Sequence, residues 1–160
     1  MEFQPGSGQN HLYYLEKSQK ALDSSDHLAY ITYPLLKEIK LLRKIFEDMG
    51  IALNNLIKAT IVYEEKKSKI TVYGEDRMNN LFFLKKLSLK YNITQNEVTK
   101  LAEFLDLFEQ YKVANFDFIK HNNLVLLSPN LRSKTISFEQ VKEYLNLIKI
   151  TSIKIKKNLN

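Results

Sequence analysis

Ile39-Lys40-Leu41-Leu42-Arg43-Lys44-Ile45-Phe46-Glu47-Asp48-Met49-Gly50-Ile51-Ala52-Leu53-Asn54-Asn55-Leu56-Ile57-Lys58-Ala59-Thr60-Ile61-Val62-Tyr63 is the stretch whose reading decides the fold. Ile39, Leu42, Phe46, Met49, Leu53, Leu56, Thr60 and Tyr63 recur in alternating steps of three and four. Such a pattern places them on one face of an α-helix, as an a/d seam for antiparallel or coiled-coil-like packing. Leu41, Ile45, Ala52 and Ile61 widen that face, so the helix needs either several neighbours within the chain or a second subunit. Unbroken from Leu35 to Lys67, it would span roughly 50 Å. Gly50 costs about 1 kcal/mol against alanine inside a helix, and marks either a close helix approach or a bend.

Outward from this helix the chain is poor in breakers. Past residue 9 only Pro34, Gly50, Gly74 and Pro129 punctuate it, too little turn chemistry for an all-β domain of this size. A first helix is expected from about Asn10 to Ile31. Leu12, Leu15, Leu22 and Ala29 form its apolar face, with Ser18, Ala21 and Ser25 as a stripe of small residues beside it. Thr32-Tyr33-Pro34 should break it, because the residue before proline is pushed out of the α region. A third helix is expected at about Arg77 to Tyr91, with Leu81, Leu84, Leu87 and Leu89 apolar.

Thr94-Gln95-Asn96-Glu97 has the pattern of a capping box and should open a fourth helix to about Lys112, with Val98, Leu101, Leu105 and Phe108 inward. Asn115 to Ser128 reads as a short hairpin around a polar His121-Asn122-Asn123 turn, and Lys134-Thr135-Ile136 as a further extended piece. Ser137-Phe138-Glu139-Gln140 is a second capping box, opening a last helix to about Lys157. The expected architecture is a mainly α, long antiparallel helical bundle with a small β-hairpin at about 116–128, before the C-terminal helix. Residues 1–9 read as a flexible arm or expression remnant and residues 10–160 as one domain.

The string Asp26-His27-Leu28-Ala29-Tyr30-Ile31-Thr32-Tyr33-Pro34-Leu35-Leu36-Lys37 resembles an uncharacterised archaeal family, in which a helix with a DHxxYxTYPL-like signature precedes a very long helix. The resemblance continues through Leu53-Asn54-Asn55, Tyr63-Glu64, Phe118, Leu127-Ser128 and Lys134-Thr135-Ile136-Ser137, over most of residues 11–157. At fold level it looks like the HEPN group of helical bundles, which implies frequent dimers acting on or near RNA. Catalytic HEPN proteins carry Arg, then four to six intervening residues, then His. None of Arg43, Arg77 and Arg132 has a histidine at that spacing here. The nearest substitute is Lys20, with six residues between it and His27, and an ammonium does not reproduce the bidentate phosphate grip of guanidinium.

Other chemistry is thin. The chain has no cysteine, which excludes disulfides, thiolate metal sites and a thiol nucleophile. It has no phosphate-cradling glycine loop and no nucleophile elbow. Asp23, Asp26 and His27 share a helix face at i, i+3 and i+4, but one local histidine without a second acidic stripe reads as a solvated helix end rather than a metal site. His11 and His121 fall in a helix start and a turn. No cofactor is expected, and no apolar run is long enough to span a membrane. The absence of a signal-peptide pattern adds to the expectation of a cytoplasmic protein.

Charge is segmented within a net +6: residues 94–117 sum to −3 and residues 118–160 to +6. Arg132, Lys134, Lys149, Lys154, Lys156 and Lys157 would make an electrostatic footprint for nucleic-acid phosphate. The blander reading, which we favour for them, is a solvated helix end whose lysines complement the helix dipole, in a chain rich in residues with AT-rich codons. Tyr30 and Tyr33, beside Pro34, are the aromatic pair best placed by sequence to stack on unpaired bases. The leading functional expectation is a non-catalytic binding module associated with RNA or a ribonucleoprotein. The alternative is a homodimeric protein-interaction bundle joined through the long helix, and the last a degenerate HEPN-type ribonuclease.

Overall fold

The computed structural model describes residues 10–68, 85–86, 88–114, 116–127 and 132–159. Helix α1 spans His11–His27, a π turn spans Leu28–Thr32 and a short α2 spans Tyr33–Leu36. The long helix α3 runs Ile39–Ser68, α4 runs Gln95–Val113 and α5 runs Phe138–Leu159. Three strands lie between α4 and α5: β1 (Phe116–Lys120), β2 (Asn123–Leu127) and β3 (Ser133–Ser137), antiparallel in the order β1-β2-β3. The protein is therefore mainly helical, with a small three-stranded sheet before its last helix. Among the described residues no helix is long and apolar enough to cross a membrane.

Helix α3 is the centre. Leu42, Phe46, Met49, Leu53, Leu56 and Thr60 are buried, and Ile39 and Tyr63 pack at the margins. The widened face is buried as well: Ile45, Ala52 and Ile61 are covered and Leu41 is half-buried, all within one chain. The small stripe of α1 explains the close approach of its partner, for Ser18, Ala21 and Ser25 are buried and the Ser18 hydroxyl donates to the Ala52 carbonyl of α3 at 2.7 Å. Leu12, expected on the same buried side as Leu15 and Leu22, is exposed, lying one turn beyond the covered part of the face.

From the other side, α4 presses an aromatic cluster onto α3. The Phe46 ring lies 5.3 Å from Phe104 and 5.3 Å from Tyr111, centroid to centroid. Gly50 marks close approach, since a Cβ there would run into the Phe108 ring. Both capping boxes form: Thr94 Oγ1 accepts from the Glu97 amide while Glu97 accepts from the Thr94 amide, and Ser137 and Gln140 do the same at α5.

Three expectations are corrected. The helix expected to break at Thr32-Tyr33-Pro34 continues through the π turn to Leu36, and stops only where Lys37 takes a left-handed conformation (φ 51°). Proline clashes with the carbonyl four residues back. The wider turn, closed by the Tyr33 amide on the Leu28 carbonyl, accommodates it without ending the helix. Second, the hairpin turn has two residues, His121 and Asn122, both at positive φ, and Asn123 already belongs to β2. Third, the helix expected at Arg77 to Tyr91 lies mostly outside the described residues. Its expected end is a turn over residues 88–92, which leaves Leu89 88% exposed and buries Tyr91 and Ile93 instead. The expected arm, residues 1–9, is also outside the described residues.

Glu64 holds that turn to α3. Its carboxylate is buried and accepts from the Tyr91 hydroxyl at 2.6 Å and from Lys90 Nζ at 2.7 Å. Burial alone would raise its pKa; the hydrogen bonds from Lys90 and Tyr91, with the charges of Lys90 and Lys67, outweigh it and hold the group below the usual carboxylate range.

Candidate functional site

The corner joining α1 to α3 gathers exposed aliphatic side chains within a short stretch of chain. Residues 34–38 are all exposed. Ile31 is 54% exposed, Leu35 79% and Leu36 57%. Ile31 and Leu35 stand four residues apart, so a helical backbone puts them on one side. Three large aliphatic side chains are thus exposed within six residues.

The corner is anchored from beneath by Tyr33. Tyr33 is 1% exposed, its ring is 4.6 Å from that of Phe138, and its hydroxyl donates to Asn122 Oδ1 at 2.8 Å. Burial pushes the Tyr33 pKa up, so the phenol remains a donor. Tyr33 is thereby corrected from a surface ring to a core anchor, with no face left for a base. Its neighbour Tyr30 does remain at the surface. The Tyr30 hydroxyl donates to Asn146 Oδ1 at 3.2 Å, and Lys149 Nζ lies 5.7 Å from the ring centroid.

Three of the lysines of the last helix, Lys149, Lys154 and Lys156, reach across seams between helices. Lys149 donates to Asp26 Oδ1 at 2.7 Å and Lys156 donates to Gln19 Oε1, whose amide in turn donates to Asp23. With Tyr30 and Asn146 these bonds form a polar ladder along the antiparallel α1/α5 pair. Burial lowers the Lys156 pKa, partly offset by Asp23. Lys154 crosses the other seam to Glu97 at 2.9 Å, on α4. That bond, with the capping-box bonds from Thr94, outweighs burial and holds the Glu97 pKa low. Arg132, Lys134 and Lys157 are exposed. The six expected cations are thus split, with three spanning helix seams and three facing solvent.

The remaining candidates are also placed. Lys20 pairs with Glu16 at 3.3 Å, and two helical turns, about 10 Å, separate it from His27 along α1. Asp23 and Asp26 are engaged by Gln19 and Lys149, and among the described residues no three His, Asp or Glu side chains converge as metal ligands. Sequence reasoning missed the corner aliphatics. Leu35 read as the first turn of the long helix, and no local signal separates an exposed leucine from a buried one.

No family model, no curated protein and no solved structure matches the chain.

Proposed function

We propose that this chain is a non-catalytic binding module that docks a partner protein through the corner between α1 and α3. The observation carrying this reading is the exposure of Ile31, Leu35 and Leu36 on a backbone pinned by buried Tyr33. A rigid apolar protrusion loses little conformational freedom on binding, which favours a stable contact. A partner protein offers an apolar pocket for it, whereas single-stranded RNA asks for aromatic platforms among cations.

The expected RNA or ribonucleoprotein association keeps the support of Arg132, Lys134, Lys157 and Tyr30, the members of its residue set that stay at the surface. Lys154 and Lys156 are committed to helix seams, and so add little to it. A protein belonging to a ribonucleoprotein satisfies both readings. A homodimer through α3 loses its motive, because Ile45, Ala52 and Ile61 are covered and Leu41 is half-buried within the chain; a second copy would use the corner. The pairing of α1 with a long α3 across that corner is what supports a HEPN-like bundle.

Photo-crosslinking residues introduced at positions 36 and 157 in intact cells test the proposal. Protein adducts at position 36 are expected. RNA adducts at position 157, with none of any kind at 36, would overturn it in favour of the tail. Homodimer adducts at 36, abolished by Leu35→Asp, would name a second copy as the partner.

A further inference from the structure

The outer edge of β3 faces a slot lined by carboxylates. Hydrogen-bond parity identifies which backbone groups point there. The two-residue turn makes Lys120 and Asn123 the closing pair of the β1/β2 hairpin, a pair that exchanges both bonds. Residues 123, 125 and 127 therefore turn their amides and carbonyls to β1, and Leu124 and Leu126 turn theirs to β3, opposite Ile136 and Lys134. Ser133 and Thr135 must then direct theirs away from the sheet. The Ser137 amide, of the same parity, does so, donating to Gln140 Oε1.

Beside this edge is a cavity of about 290 Å³ between β3, α4 and the start of α5, lined by Lys134, Thr135 and Ile136 together with Glu103, Asp106 and Tyr144. It shares Glu103, Gln140 and Tyr144 with a cavity of about 590 Å³ that continues along the α4/α5 groove to Glu97 and is also lined by Leu147 and Ile150. Four carboxylates, of Glu97, Glu103, Asp106 and Glu143, line the two cavities with the ammoniums of Lys100 and Lys134; Glu97 is already paired with Lys154, and beside β3 Glu103 and Asp106 face the single ammonium of Lys134. The slot is acidic on a protein of net charge +6.

We propose that β3 takes up an extended, basic peptide segment of a partner protein as a fourth strand. Its backbone pairs with Ser133 and Thr135, and alternate side chains turn to the helix side that Ile136 occupies. Lysine or arginine at those positions meets Glu103 and Asp106. An open strand edge supplies affinity through the main chain, and the pockets beside it supply selectivity through every second side chain. Charge selects among occupants. A second copy adding edge to edge would set the carboxylates of one slot against those of the other, and the phosphates of a nucleic acid would be repelled by the slot.

The test uses the full chain and an acetylated, amidated octapeptide alternating valine and lysine. Saturable binding is expected, with slowed hydrogen exchange at the Ser133 and Thr135 amides. Glu103→Gln with Asp106→Asn should weaken binding by roughly ten-fold, the loss of one charge-assisted pair. Methylating alternate peptide nitrogens, which removes strand bonds and leaves the protein untouched, should abolish it. The proposal fails if the lysine peptide does not bind, or if a valine–glutamate peptide binds equally well. Retained affinity after methylation, or protection at the α1/α3 corner in place of β3, would defeat it too.

Discussion

The Tyr33 hydroxyl donates to Asn122 Oδ1 at 2.8 Å, tying the corner between α1 and α3 to a hairpin turn 89 residues further along the chain. Asn122 serves the turn twice, by accepting positive φ and by offering its side chain to Tyr33. The bond is part-buried, so Tyr33→Phe should cost about 1 kcal/mol. Asn122→Gly keeps the left-handed backbone while deleting the acceptor. A urea-unfolding cycle over the two substitutions should return a coupling of about 1 kcal/mol. Strict additivity would show that the bond contributes nothing.

Phe46 has no exposed surface and touches three aromatic rings of α4. Phe46→Ala should lose about 3–5 kcal/mol in the same assay. Gly50→Ala should also destabilise, by about 1–3 kcal/mol from overpacking against Phe108, although alanine is the better helix former. Restoration by Phe108→Leu in the Gly50→Ala background would confirm the source of the strain. A stabilising Gly50→Ala would show that the ring moves aside freely.

The lysines of α5 should divide by position. Lys154→Gln removes the partner of Glu97, which lies mostly out of solvent, and should cost about 1 kcal/mol after allowance for its partial exposure. Lys156→Gln should lower the melting temperature through its lost bond to Gln19. Lys157→Gln should leave stability within about 0.5 kcal/mol. Should all three prove neutral, the seams do not depend on these bonds.

Acid should loosen the turn that Glu64 holds. Its folded-state pKa is lowered, as is that of Glu97. The stability each contributes is therefore present above the ordinary carboxylate range and is lost as pH falls through the folded-state value. Glu64→Gln should flatten the acid limb of the stability curve while leaving the limb above neutrality unchanged. An acid limb identical in the variant would assign the loss to other groups.

Much of the fold follows from local pattern. The steps of three and four in Ile39 to Tyr63 specified α3 and its buried side, because a helix turns every 3.6 residues and the core must be apolar. Ser18, Ala21 and Ser25 were legible only as a stripe of small residues beside the apolar face of α1, and both capping boxes were readable because their bonds link residues three apart. The −3 charge of residues 94–117 was also visible, but nothing local placed Glu103 and Asp106 beside an open strand edge.

What sequence alone determined here is what depends on neighbours a turn or less away: the identity of the four long described helices, the two helix starts that carry capping boxes, and the presence of the hairpin. Tertiary structure decided where each element stopped being covered. Tyr33 and Leu35 lie two residues apart, yet one is sealed against Phe138 and Asn122 and the other stands in solvent. The lysines of α5 likewise became seam bonds only because α1 and α4 brought Gln19, Asp26 and Glu97 within reach. Burial and charge pairing are set by residues distant in the chain, so they are properties of the packed bundle and of no single segment within it.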